Sequence, residues 1–400
     1  MIKIKRANNQ ISQYDEFPGF YDVTAIYIMS LTIVHTYRLL GTNFFPFLLN
    51  YTVYFRNIIY IIPLLYVFTI IFIRGINKKV LYTLLVIFVL LIFSIIANKE
   101  IFEYVREDII IFITRIIIGS FLYSFCNDYQ KLTNKLCKYI ILIILYIFLL
   151  AITGYTKDYM SYSYGLLLPV VFFGIIGIET RNLIYGSVCI LGLFYILLYG
   201  ARGAFISGLA TIAVYLISFS KVSVKKIVMV LLTLIISILV ATNLDQIIQT
   251  LFGNYQNSRT LRLITAGRLT DGVGRDLRYA AVLKNISFFP KGLFSDRLII
   301  LKEVSVVSYP HNLFLELLYQ FGLVIGGALC IVIIINFIKV FLIVTQKNNK
   351  YLNALFYSLV VIYLIKSMIS GSYLNDYTSG AALGLCINII KNNHKMGFNA

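Results

Sequence analysis

Residues 320–344 read QFGLVIGGALCIVIIINFIKVFLIV. This run holds one charged residue, Lys339, and exceeds the roughly 20 apolar residues that cross a bilayer as a helix. Similar runs recur along the chain, whose 400 residues are 60% hydrophobic and only 13% charged. A water-soluble fold of this size cannot bury that much apolar surface. The composition therefore predicts an all-α polytopic membrane protein, and it excludes a soluble enzyme, a disulfide-rich secreted protein and a disordered chain.

Twelve apolar runs are predicted to be transmembrane helices. They cover residues 21–40, 57–73, 80–97, 109–126, 139–153, 164–180, 182–199, 203–220, 226–242, 320–344, 351–367 and 374–390. The chain then divides into three parts. Residues 1–242 contain the first nine spans, residues 243–319 form one long loop with short amphipathic helices, and residues 320–400 contain the last three spans and a tail.

Positive charge predicts the orientation of these spans. With the N-terminus inside, seventeen Lys and Arg residues fall on inner segments and six on the short outer loops, as the positive-inside rule requires. The six are Arg56, Lys99, Arg106, Lys157, Arg202 and Lys366. Both termini are therefore predicted to be cytoplasmic, and no cleaved signal peptide is expected. The long loop falls outside although it carries nine Lys and Arg. Anion binding is the simplest explanation, and a solvated, weakly structured loop is the alternative.

The first candidate for chemistry is His311, which stands between Pro310 and Asn312 where the long loop meets the tenth span. Pro310 can open a helix, which would place His311 in the first turn at the outer interface. Free N–H groups at a helix start favour an anionic ligand. An imidazole there could take a hydroxyl proton or pair with phosphate. The alternative is a His311–Asn312 pair that only caps the helix.

Arginines supply the other candidates. Arg202 lies in a glycine-flanked outer turn, where a guanidinium fork suits a diphosphate, or where it could simply snorkel. Arg275 and Arg278 lie in a predicted amphipathic helix on the membrane surface, although a plain surface helix explains that pattern equally well. The apolar face of that helix is predicted to contain Tyr279, Val282, Leu283 and Ile286.

Arg115 lies inside the fourth span, about 10 Å from its outer end by helix rise. A cation at that depth either lines a cavity or snorkels outward. Arg38 and Lys339 lie nearer to helix ends and are predicted to snorkel, whereas His35 is predicted to pack in the core or in a cavity.

Metal and cofactor motifs are missing from the sequence. It contains no HExxH, no Cys/His cluster, no GxSxG, no phosphate-binding Gly-Lys loop and no DxD-like pair. The expected cofactor set is therefore empty, and the missing DxD pair argues against a cytoplasmic transferase that uses nucleotide sugars.

Three constellations, in this order, resemble the O-antigen polymerase and O-antigen ligase superfamily. The resemblance covers about residues 200–330 with usable motifs. They are Ala201-Arg202-Gly203, then Gly274-Arg275 with Tyr279 and Pro290-Lys291-Gly292, then His311-Asn312 with Leu315. Two positions depart from the pattern: Tyr279 replaces the usual Trp, and Gln320 stands where Glu is common, so no catalytic carboxylate is expected there.

The resemblance implies a type C glycosyltransferase architecture in a bacterial inner membrane and a metal-independent enzyme. Its donor would be an undecaprenyl diphosphate-linked oligosaccharide. Arg202 and Arg275 would bind the diphosphate, and His311 would act as base or position the acceptor hydroxyl. The further substrate-binding residues are expected to be Arg278, Arg115, Asn312 and Tyr279.

The favoured interpretation of this resemblance is a repeat-unit polymerase for O-antigen or capsular polysaccharide. The alternatives are an O-antigen ligase, whose acceptor is the lipid A core, and a lipid-linked glycan flippase or other transporter. Membrane lipid, a chain-length regulator and a flippase are the expected partners, and no nucleic acid is expected. A flippase would favour charged or broken helices near the midplane in both halves and no long outer loop.

Overall fold

A computed structural model describes residues 17–74, 78–97, 99–154, 156, 158–219 and 274–397, and every regular element in these ranges is helical. The first nine helices are α1 Phe20–Asn43, α2 Thr52–Arg74, α3 Lys78–Ala97, α4 Lys99–Ser124, α5 Tyr129–Cys137, α6 Ile140–Thr153, α7 Tyr159–Thr180, α8 Leu183–Leu198 and α9 Arg202–Phe219. The last five are α10 Arg275–Lys284, α11 Ser295–Val304, α12 Leu313–Lys347, α13 Lys350–Ile369 and α14 Ser379–Gly397. A 3₁₀ turn, Pro46–Tyr51, joins α1 to α2, and a π-helical turn, Tyr357–Val361, interrupts α13.

The chain is a helical membrane protein. Within the described residues, five helical segments are each long and apolar enough to cross a bilayer, and the bent pair α5 and α6 adds a sixth if it forms one span. The five are Phe20–Asn43, Pro46–Ile73, Tyr159–Thr180, Leu313–Lys347 and Lys350–Ile369. Eleven of the twelve predicted runs coincide with a helix, and the ninth, 226–242, lies outside the described residues. The total of twelve spans stays a prediction.

The start of α12 corrects the prediction for His311. Asn312, not Pro310, begins the helix, because its side-chain oxygen accepts hydrogen bonds from the backbone N–H groups of Phe314 and Leu315. His311 therefore precedes the cap instead of lying in the first turn. Its backbone is left-handed, with φ 56°, which turns the chain so that the imidazole lies against neighbouring segments.

A break in α12 lets the loop after α10 dock against it. Gly322 has φ 73°, and a Cβ there would overlap the carbonyl oxygen of Phe288. The freed carbonyl of Gln320 accepts hydrogen bonds from the backbone N–H groups of Lys291 and Gly292, both at 2.9 Å. Glycine at this position therefore joins the predicted outer loop to the membrane-spanning helix.

Helix α10 differs in several respects from the predicted amphipathic helix, since it ends at Lys284, before Ile286. It begins at Arg275, as expected, but Leu283 is exposed while Val282 is fully buried. Val282 packs in a small apolar cluster with Ile300 of α11 and Tyr319 of α12. The buried side of α10 thus faces protein, because α11 and α12 cover it.

Polar pairs separate the two ends of the helical bundle. At one end, Lys135 of α5 lies 2.6 Å from Asp22 of α1. At the other end, Arg38 of α1 lies 2.7 Å from Asp158, immediately before α7. Both side chains of this pair are partly exposed, and the snorkelling of Arg38 stays a prediction. The candidate site lies at the Arg38 end.

Candidate functional site

His311 is held by hydrogen bonds from both sides of its ring. Its Nδ1 lies 3.1 Å from the backbone carbonyl oxygen of Ser370, and its Nε2 lies 2.8 Å from Nη1 of Arg278. A carbonyl oxygen can only accept and a guanidinium can only donate. The imidazole is therefore neutral, with the proton on Nδ1, and its Nε2 lone pair accepts a hydrogen bond from Arg278.

The surroundings of His311 keep it neutral. Burial is the largest cause that lowers its pKa to about 4, and the positive charges of Arg278 and Arg275 contribute, against the opposing effect of the Ser370 carbonyl. The Tyr309 ring packs beside the imidazole at a centroid distance of 4.3 Å. At neutral pH His311 can thus accept a proton at Nε2, provided that Arg278 moves away.

Arg275 and Arg278 make the neighbouring surface strongly basic. They are three residues apart on α10, so their side chains lie on one face. Burial lowers the pKa of Arg278, and so does the positive charge of Arg275. Nε of Arg278 has no hydrogen-bond partner among the described residues. Two cations that destabilise each other in this way favour a bound anion.

The Arg202 turn approaches the same place. Arg202 is the first residue of α9, and the Cα of Gly203 faces Ser370: a Cβ there would lie 2.9 Å from the Ser370 hydroxyl and 3.1 Å from that of Tyr164. The Ser370 and Tyr164 hydroxyl groups are hydrogen-bonded to each other. The three segments singled out in the sequence therefore meet around Ser370.

Two predicted substrate-binding residues have less direct positions. The side chain of Asn312 caps α12, which accounts for it without a ligand. Tyr279 is half-buried on α10, one residue beyond Arg278. Their roles toward a substrate stay predictions.

Arg115 lines a cavity of about 820 Å³ that extends to His311. Its guanidinium lies over the rings of Tyr60, at 5.0 Å, and Tyr377, at 5.6 Å. Tyr309, His311 and Ser370 form another part of the lining, whereas Arg275 and Arg278 lie outside it. The imidazole therefore stands between the cavity and the basic face of α10.

A buried ionic cluster supports the part of the cavity lining that contains His311 and Ser370. Arg297 of α11 donates hydrogen bonds to Asp296 at 2.8 Å, to Glu316 of α12 at 3.0 Å and to the hydroxyl of Ser372 at 2.9 Å. Burial alone would lower the pKa of Arg297, but these two carboxylates raise it above its ordinary value. Gln320 stands at the position where no catalytic carboxylate was expected. Its amide nitrogen donates a hydrogen bond to Asp296, and its carbonyl oxygen accepts one from the Tyr373 hydroxyl.

Sequence reasoning missed most of this cluster. Arg297 was only one of nine loop cations, and its partners lie 19 and 75 residues further along the chain. A usable signal was Glu316, a carboxylate placed four residues after Asn312 in an otherwise apolar segment.

Comparisons with known proteins provide no relative from which residue roles could be transferred: the chain matches no family model, no curated protein and no solved structure.

Proposed function

We propose that this protein is a metal-independent glycosyltransferase that polymerises lipid-linked repeat units at the outer face of the bacterial inner membrane. It would transfer a glycan from undecaprenyl diphosphate to a second lipid-linked unit. In this proposal the chain has about twelve spans and both termini are cytoplasmic. The observation that carries it is the series Arg278–His311–Ser370, in which a neutral imidazole joins a basic face to a cavity.

The basic face suits a diphosphate leaving group. Charge develops on the diphosphate as the glycosidic bond breaks, and preorganised guanidinium groups stabilise it without a metal. Arg275 and Arg278 supply two such groups, and the Arg202 turn approaches the same Ser370. A planar fork binds phosphate oxygens through two parallel hydrogen bonds.

His311 acts as base once the donor is bound. When a phosphate oxygen accepts the N–H of Arg278, the Nε2 lone pair of His311 becomes available. The acceptor hydroxyl then gives its proton to Nε2 as its oxygen bonds to the sugar C1. The bond between C1 and the diphosphate oxygen breaks, and the diphosphate leaves with the electron pair. Donor binding therefore activates the base, which limits wasteful proton transfer in the empty enzyme.

Deletion in a Gram-negative host tests the class of activity. Loss of a polymerase leaves single repeat units on the lipid core. Loss of a ligase leaves a bare core while polymer accumulates on the carrier lipid. Normal polymer and normal ligation in the deletion would reject both enzymes and favour a transporter.

Complementation of that deletion then tests the residues. We expect Arg275→Ala and Arg278→Ala to lose polymer formation at least a hundredfold at unchanged protein level, because each removes a charge that stabilises the leaving group. Arg→Lys at these positions should restore only part of the polymer formation, since the planar guanidinium is lost. The matched control is Lys284→Ala, an exposed cation on the same helix, which should retain full polymer length. Full activity in both Arg→Ala variants would reject the assignment.

A further inference from the structure

We propose that Arg115 and Arg56 form a second anion site, which holds the diphosphate headgroup of the lipid-linked acceptor inside the 820 Å³ cavity. This inference rests on the proposed function and assigns the two lipid diphosphates to different sites. The donor headgroup occupies the Arg275–Arg278 face outside the cavity, the acceptor occupies the cavity, and His311 lies between them.

Arg115 is an uncompensated cation. Among the described residues no carboxylate lies within 4.0 Å of it, whereas the cavity cations Arg38 and Lys366 are paired with Asp158 and Asp376, each at 2.7 Å. The contacts of Arg115 with Tyr60 and Tyr377 are made by ring faces. Ring faces stabilise the positive charge but accept no hydrogen bonds from the in-plane N–H groups. The N–H donors of the guanidinium are therefore left for a ligand.

Arg56 is a second cation in the lining of the same cavity. It lies four residues before Tyr60 on α2, which puts both side chains on one face of that helix, and it also lines the cavity. No carboxylate of the described chain lies within 4.0 Å of Arg56 either. Glu107 lines the cavity too, but it is eight residues from Arg115 on α4, about 12 Å by helix rise. Among the described residues the cavity lining therefore carries a net positive charge, with four cations against the carboxylates of Glu107 and Asp376.

His35 gives an independent indication of a polar ligand. Its side chain lines the cavity and is only 8% exposed, yet neither ring nitrogen has a hydrogen-bond partner among the described residues. Buried polar groups are rarely left unpaired, because each such group loses its hydration without compensation.

The walls of the cavity fit the rest of such a molecule. The membrane-spanning helices α1 and α2 contribute apolar side chains, among them Leu31, Val34, Ile61 and Leu64. The volume lies within the range of small-molecule sites of about 300–1,000 Å³. It accommodates a headgroup and its first sugars, not a whole polyprenyl chain. Apolar walls, two free cations and an orphaned imidazole together fit an anionic, hydroxyl-bearing lipid headgroup.

Binding stoichiometry tests the proposal directly. The full-length protein, purified in detergent, is titrated with undecaprenyl diphosphate. We expect two molecules per wild-type chain, one per chain for Arg115→Ala, one for Arg275→Ala and none for the double variant. Arg115→Lys should keep two sites with the affinity of one weakened about tenfold or more. The matched control, Arg106→Ala, removes an exposed arginine of the same helix and should keep both sites.

Competing ligands identify the source of the anion. Inorganic pyrophosphate should displace the lipid from the Arg115 site only weakly, since it lacks the tail. Phosphatidylglycerol that displaces it as well as the diphosphate lipid does would overturn the assignment, because the cavity would then be a site for bulk anionic lipid. One molecule per wild-type chain, or two in Arg115→Ala, would also overturn it.

Kinetics separates this inference from the proposed function. With lipid-linked repeat units as substrate, Arg115→Ala should raise KM for the acceptor about tenfold or more and change kcat little, whereas Arg275→Ala should lower kcat. Two bound lipids without any glycan transfer would reject the enzyme and leave the second anion site standing. Glycan transfer with a single bound lipid would reject the second site alone.

Discussion

Arg297 and Arg115 both lie against the segment between α13 and α14, and their surroundings are opposite. Arg297 is 1% exposed, and its terminal nitrogens are taken by Asp296, Glu316 and Ser372. Arg115 is half-buried between two tyrosine rings, and the described residues offer it no carboxylate within 4.0 Å. A guanidinium whose terminal nitrogens are held by buried partners supports structure, whereas one in a cavity without such partners is free to bind a ligand. The two arginines therefore separate the scaffold of this site from its ligand-binding surface.

The largest expected effect follows from removing Arg297. Arg297→Ala leaves two fully buried carboxylates, Asp296 and Glu316, without their cation. Breaking a buried ion pair from one side costs about 3–5 kcal/mol of unfolding free energy. We expect a large drop in the thermal unfolding midpoint in detergent, together with reduced protein in the membrane.

Arg115→Ala is the matched comparison, and it should change the unfolding free energy by less than about 1 kcal/mol, because no ion pair is broken. Equal destabilisation by the two substitutions would contradict the division into scaffold and ligand-binding surface. Lys302→Ala measures the background, since this lysine and its partner Glu100 are both well exposed.

The sequence predicted helices far better than it predicted contacts. Long apolar runs reveal spans because the bilayer imposes a length and a composition on each segment separately. Contacts such as that of Arg278 with His311, 33 residues apart, depend on how segments pack, and no local pattern encodes that. The break at Gly322 was equally invisible, because a glycine in an apolar run does not reveal which backbone will approach it.

Part of the candidate site was nevertheless predictable. His311, Arg275 and the Arg202 turn are polar residues beside glycine or proline at predicted helix starts, and the structure brings these segments together around Ser370. The buried cluster of Arg297 was not found, because its members are typical of a charged loop when they are read singly. Polar groups within one motif are recognisable from sequence, whereas a network assembled from several loops is not.

The pH dependence of activity tests how Arg278 affects the protonation of His311. A base must be unprotonated, so activity is lost as pH falls through its pKa, which is about 4 in the folded protein. We expect kcat/KM of the wild type to stay flat from neutral pH down to about pH 5. In Arg278→Gln a positive charge that lowers this pKa is removed, so the acid limb should move upward toward the ordinary value of about 6.5.

The stability of the folded protein should also decrease as pH falls, because of the same residue, His311. Between pH 6.5 and about 4 the unfolded chain binds a proton at His311 that the folded chain excludes, so folded stability falls as pH is lowered through this range. His311→Gln should flatten that dependence, and it should lower activity about 10²–10⁴-fold if the imidazole is the base. An acid limb that stays in place in Arg278→Gln would contradict the contact as a determinant of the His311 pKa.

The smallest expected effect shows whether Asn312 only caps a helix or also contacts the substrate. Asn312 caps α12 with hydrogen bonds of 3.0 and 3.1 Å, and Asn349 caps α13 with the same pair of distances. Asn→Ala at either cap should therefore cost about 1 kcal/mol of unfolding free energy. If Asn312 only caps, the two variants will have equal activity per folded molecule. Because Asn312 adjoins His311 and Asn349 lies at the opposite end of the bundle, a loss confined to Asn312→Ala would assign its amide a role at the substrate.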